Sequence, residues 1–263
     1  MKLAILGGGN MGGAIAIGAI GKGVVELSEV AISHLSEKMK PLLGDHLDSI
    51  DCNNCNSEAI KDADFIVLAV KPWLVEEVLA EISEVIDRSR QSIISVVAGV
   101  SFEQLSSLLD CESKGGMPLY RVIPNTAISI GCGVSVVAAH NATQDGVQRV
   151  VKLFEALGSV FTIEESMMAP FTSLASCGIA FALRYIDAAM RGGVEVGISQ
   201  EQSLDVTLQT MQGALEMLRH NGTMPQTEID KVTTKGGLTF KGLEAMEQGG
   251  FSESVKSAIK FSR

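Results

Sequence analysis

Residues 3–6, Leu-Ala-Ile-Leu, run directly into Gly7-Gly8-Gly9-Asn10-Met11-Gly12, and this junction admits very few folds. A short apolar run, a G-x-G-x-x-G turn and an apolar stretch to about residue 20 read as strand, tight turn and helix. Gly7 permits the tight turn, Gly9 lets the backbone approach a diphosphate, and Gly12 lets the helix pack close to the strand. Gly8, Asn10 and Met11 complete the turn, and the helix start offers unpaired N–H groups to an anion. The expected ligand is a dinucleotide. Residues 3–20 carry no charge, but a glycine triplet with Asn10 at its centre is foreign to a spanning helix or a secretory core.

The pattern then alternates. Apolar runs at 30–33, 65–70, 92–98, 120–123, 133–139 and 160–163 read as strands separated by helical stretches, one of them over 145–157. This predicts an α/β fold: a Rossmann-like parallel sheet domain over 1–164, followed by an all-helical C-terminal domain over 165–263. In the helical part a stretch over 178–196 is rich in Ala and Gly. Ser199 and Gln202 form a capping-box start for a helix that stops at Asn221-Gly222. A shorter helix is expected over 225–232, then a turn at 233–237 and two last helices parted by Gly249-Gly250. Met167, Met168, Phe181 and Tyr185 are expected in the helical core.

In an open α/β sheet the ligand lies beyond the carboxyl ends of the strands. Those ends carry Ser33-His34-Leu35-Ser36, Ala69-Val70-Lys71-Pro72, Ala98-Gly99-Val100 and Pro124-Asn125-Thr126. A strict NAD enzyme places Asp or Glu where Ser33 and His34 stand, so the cofactor reading leans toward a 2′-phosphate.

Composition narrows the partners. The formal net charge is −10 with no basic stripe, which excludes nucleic acid and an anionic membrane surface as partners. Five scattered cysteines argue against a disulfide framework and for a cytoplasmic protein. Cys52-x-x-Cys55 lacks the two further ligands zinc needs, and His34, His46, His140 and His220 are far apart, so no metal site is expected.

Taken together, these motifs resemble pyrroline-5-carboxylate reductases over residues 3–260. Besides the glycine turn, Ala69–Pro72, Ala98–Val100 and Pro124–Thr126 match that family, as does Asn56, the family position at the cofactor's adenosine part. Thr172 to Phe181 resembles the family's Thr-Ala-Leu-Ser-Gly-Ser-Gly-Pro-Ala-Tyr, and Val232 to Thr239 its Val-Thr-Ser-Pro-Gly-Gly-Thr-Thr. Departures are Cys177, Ile179, Lys235 and Leu238, together with Leu35 where many relatives carry Arg.

The resemblance implies reduction of 1-pyrroline-5-carboxylate to L-proline by hydride from NADPH, with NADH as the alternative donor. It assigns Gly7, Gly8, Gly9, Asn10, Met11, Gly12, Ser33, His34, Ser36, Asn56, Ala69, Val70, Lys71, Pro72, Ala98 and Gly99 to the cofactor. Gly178, Gly236, Gly237, Leu238 and Thr239 fall to the substrate, with Thr239 as the catalytic hydroxyl or, on the plainer reading, a helix N-cap. The backbone N–H groups of Gly237, Leu238 and Thr239 would cradle the carboxylate. A homodimer or higher oligomer through the helical domain is implied. Two alternatives stand beside this reading: a related imine or keto-acid reductase, and a non-catalytic dinucleotide-binding relative.

Overall fold

Successive residues of a strand face opposite sides of its sheet, so a strand apolar at every position must be covered on both faces. In β1 (Leu3–Leu6) all four residues are buried. Leu3 and Ile5 enter one apolar cluster, Ala4 and Leu6 the other. The computed structural model, which describes residues 1–263, continues with β2 (Val30–Ser33), β3 (Asp51–Asn53), β4 (Phe65–Leu68), β5 (Ser92–Ser95), β6 (Leu119–Pro124), β7 (Gly133–His140) and β8 (Gly158–Thr162). They form one eight-stranded sheet in the order β3-β2-β1-β4-β5-β6-β7-β8. β4 repeats the division, with Phe65 and Val67 on one face and Ile66 and Leu68 on the other.

Every neighbouring pair is parallel except β6 and β7, which run antiparallel with Leu119 opposite His140. The cause is the link at 125–132, which holds a 3₁₀ turn (Thr126–Ile130). A parallel crossover needs a dozen or more residues, so this link can only turn the chain back. β3 is a strand that the periodicity does not reveal. Its residues Asp51, Cys52 and Asn53 lie at the exposed edge, where a polar short strand is tolerated.

The chain divides into two compact units, Met1–Ser176 and Cys177–Arg263. Near the end of the first, residues Thr172–Cys177 wind as a π-helix. The wider turn sets backbone carbonyls off the regular ladder, and Ala175 O accepts a bond from Asn125 Nδ2 at 3.1 Å. Asn125 thus ties the carboxyl end of β6 to this segment.

The second unit is wholly helical, with helices over Gly178–Glu195, Gln200–Asn221, Pro225–Val232, Leu238–Gln248 and Phe251–Phe261. Ser199 caps the second of these by accepting the Gln202 N–H, and Gly222 (φ 62°) ends it, as the sequence predicts. The first two helices pack closely: a Cβ on Gly193 would stand 2.0 Å from Ser203 Oγ, which donates to Met190 O.

The expected helical core is mostly absent, and this corrects the sequence reading. Met168 is buried, whereas Met167 and Tyr185 are exposed and Phe181 is half-buried. The helices over Gly178–Glu195, Leu238–Gln248 and Phe251–Phe261 contain no buried residue. The helical run Glu165–Glu195 is long and apolar enough to cross a membrane, with 11% of its apolar window buried. Helical periodicity marks a face that wants cover, but it does not say which chain provides it.

One buried polar cluster locks the second unit. Glu228 accepts from Lys231 Nζ at 2.8 Å, from Asn221 Nδ2 at 3.1 Å and from Thr223 Oγ1 at 2.5 Å. These donors, Lys231 first, hold its carboxyl at about 2, below the ordinary 4.5. A depressed carboxyl pKa stabilises the fold fully above about 4.5, and that contribution is lost as pH falls through about 2. The melting temperature of the wild type should therefore fall more steeply than that of Glu228→Gln across this window. Parallel curves would show that the ionised carboxylate contributes nothing.

Candidate functional site

The glycine turn is built as its spacing predicts. Gly7 takes φ 99°, and a Cβ there would lie 2.8 Å from Ala69 O, so both conformation and space demand glycine. The N–H groups of Gly7 and Gly8 are spent on Ser33 O. The first bond of the Asn10–Gly21 helix runs from Gly13 N to Gly9 O at 2.8 Å. The N–H groups of Asn10, Met11 and Gly12 therefore have no partner within the helix. No acidic residue occupies the first turn and no side chain caps it. Three free donors and the positive end of the helix dipole suit a diphosphate. A Cβ on Gly9 would meet nothing within 4 Å.

Beside this turn, beyond the ends of β1, β2 and β4, lies a cavity of about 780 Å³. Among the expected cofactor residues, Gly7, Gly9, Asn10, Met11, His34, Ser36, Asn56, Ala69, Val70 and Lys71 line it. Lys38, the point charge that the sequence places beside Ser36 for a 2′-phosphate, joins them, as do Asn54, Glu77 and Glu81; no motif in the sequence singles out these last three. Gly8, Gly12, Ser33, Pro72, Ala98 and Gly99 do not line it. Gly8 and Gly12 have packing duties, since a Cβ would stand 2.6 Å from Leu35 Cα in the first case and 2.1 Å from Gly7 O in the second. Ser33 is fully buried, and its hydroxyl donates to Asn56 Oδ1 at 2.5 Å. Leu35 packs against the apolar cluster under the sheet. His34, held at φ 51°, lies exposed at the cavity.

In the second unit, Gly178 opens the Gly178–Glu195 helix, and Gly236 (φ 75°) turns the chain into the helix over Leu238–Gln248. Two details differ from the sequence reading. The N-cap of that helix is Gly237, and Thr239 sits one residue inside the first turn, so Thr239 is not the cap. Its side chain is exposed and makes no hydrogen bond within the protein. The N–H of Gly237 is already spent on Thr234 O at 2.8 Å, which removes it from the carboxylate cradle. The first helical bond comes from Lys241 to Gly237 O, leaving the N–H groups of Leu238, Thr239 and Phe240 free. Lys235 stands exposed before this turn. No group of three or more His, Cys, Asp or Glu side chains is placed to hold a metal ion.

The fold and the glycine turn define a nicotinamide-dinucleotide oxidoreductase with a separate helical domain. Residues 2–99 match the family model described as NADP oxidoreductase, coenzyme F420-dependent, and residues 165–263 match that of pyrroline-5-carboxylate reductase dimerisation. Pyrroline-5-carboxylate reductase 2 of Dictyostelium discoideum is 31% identical over 275 residues, covering 99% of this chain and 90% of that protein. The Aquifex aeolicus pyrroline-5-carboxylate reductase is 31% identical over 260 residues, covering 98% and 94%. A longer Dictyostelium relative, pyrroline-5-carboxylate reductase 1, is also 31% identical, and there the match spans 48% of its length. Among solved structures, the Plasmodium falciparum pyrroline carboxylate reductase with NADP bound superposes with a TM-score of 0.90 at 27% identity, covering 100% of this chain and 95% of that one. The chain belongs to the pyrroline-5-carboxylate reductase family.

Proposed function

We infer that this chain reduces 1-pyrroline-5-carboxylate to L-proline with NADPH, as an enzyme of proline biosynthesis. The observation that carries the reading is the pairing of two features within a chain of this family. One is the glycine turn with three free N–H donors; the other is the Gly236-Gly237-Leu238-Thr239 turn with an unpaired threonine hydroxyl. When bound, NADPH supplies the hydride. Thr239 hydrogen-bonds the imine nitrogen through its hydroxyl, steadying the proton there. The N–H groups of Leu238 and Thr239 hold the carboxylate, a local arrangement that works despite the net charge of −10. A reducible cyclic imine protonates near neutrality, so no strong acid is needed beside it.

A second copy of the chain covers the exposed apolar helices of the second unit. Three of its helices lack any buried residue, which supports an obligate dimer. The test of the activity is to follow NADPH consumption with pyrroline-5-carboxylate and with a panel of other imines and keto acids. Turnover confined to the panel would favour the related reductase, and binding without turnover the non-catalytic relative.

NADPH should be preferred over NADH, by about tenfold in kcat/KM, because hydrogen bonds and one point charge contribute only roughly 0.5–1.5 kcal/mol each. The groups at hand are His34, Ser36 and Lys38, which line the cavity; Ser33 and Leu35 do not reach it. Ser36→Arg should therefore widen the preference, since a guanidinium at the lining can pair with a 2′-phosphate. Leu35→Arg would disturb packing first. A wild-type ratio in favour of NADH would refute this assignment.

A further inference from the structure

Asn56 is 2% exposed and still lines the dinucleotide cavity. One donor and one acceptor direction of its side chain are set by two neighbours. Glu81, on the Val75–Ile82 helix, accepts the Asn56 backbone N–H through Oε1 at 3.0 Å and Asn56 Nδ2 through Oε2 at 2.6 Å. A carboxylate can only accept, so the amide nitrogen must face Glu81 and the amide oxygen must face Ser33. Ser33 Oγ then donates to Asn56 Oδ1. Asn56 also opens the Asn56–Ala59 turn of helix, whose first N–H groups have no backbone partner, so Glu81 caps that turn as well. One Nδ2–H of Asn56 remains unspent.

We propose that Glu81 is a positioning residue for the dinucleotide: it fixes the rotamer and amide orientation of Asn56, so that the remaining Nδ2–H is presented to the adenosine side of the cofactor. This rests on the dinucleotide reading of the cavity. The side follows from topology. Asn56 comes just after β3, the strand beyond β2, and in a sheet of this kind the end of β2 receives the adenosine ribose. Glu81 is itself exposed where it lines the cavity, and its two carboxylate oxygens hold Asn56 at two points, the backbone N–H and the amide nitrogen. Without it, the buried amide of Asn56 is free to flip, and the cavity would see an acceptor for part of the time.

The test is a double-mutant cycle read by direct binding of NADPH and of the fragment 2′,5′-ADP, using the full chain. Glu81→Gln offers one acceptor in place of two and should raise Kd for both ligands by about tenfold. Asn56→Ala should do the same, and the double variant should be no weaker than Asn56→Ala alone, because Glu81 acts through that side chain. Losses that multiply to about a hundredfold, or an unchanged Kd in Glu81→Gln, would overturn the proposal. Glu81→Asp repeats the cycle with a milder change and should show coupling of the same sign; its absence would also overturn it. A wild-type protein that binds neither ligand would sink the dinucleotide reading and this inference together. Wild-type binding without coupling would sink the inference alone.

Discussion

Gly9→Val is expected to leave the fold intact and to abolish NADPH binding. The position has extended backbone at its N-cap place, with φ −81°, which valine adopts readily. A Cβ there meets no protein atom within 4 Å, so the added side chain projects into the lining of the cavity. It would stand where a diphosphate must approach the N–H groups of Asn10, Met11 and Gly12. Losing two such charge-assisted bonds at about 1.5–3 kcal/mol each weakens binding by at least about a hundredfold. Gly12→Val provides the contrast, because its Cβ would lie 2.1 Å from Gly7 O and 2.9 Å from Ile5. That variant should fail by misfolding. Circular dichroism with a cofactor fluorescence titration separates the two, and a folded Gly9→Val with wild-type affinity would refute the cofactor assignment.

Thr239→Ala should lower kcat by about a hundredfold, the usual cost of a lost catalytic proton partner. The structure makes this substitution clean. Thr239 is exposed, its hydroxyl has no partner in the chain, and Gly237 holds the cap position. Removing the hydroxyl therefore costs little stability, within about 0.5 kcal/mol for such a surface site. NADPH affinity should be nearly unchanged, since the glycine turn lies in the other unit. Thr239→Ser should keep most of the turnover. A fully active Thr239→Ala enzyme would remove the hydroxyl from the mechanism.

The sequence alone determined the elements whose causes are local. Leu3–Leu6 followed by the glycine turn can be read because each glycine answers to a steric demand within a few residues. The same holds for the Ser199 cap and for Gly222 after its helix, where backbone geometry selects the residue type. Longer-range decisions lay with the tertiary structure. Ser33 was legible as a strand-end hydroxyl, but only the packing of the Asn56–Ala59 turn against β2 and the Val75–Ile82 helix gives it Asn56 as a buried partner. Leu35 was legible as the place of an arginine, and the core cluster decides that it faces the interior. Glu81 carries no motif at all; its meaning arises from a partner 25 residues away. The helical half shows the limit most plainly. Periodicity there records that one face of each helix seeks cover, but burial belongs to the assembled surfaces, and a single chain leaves those faces exposed.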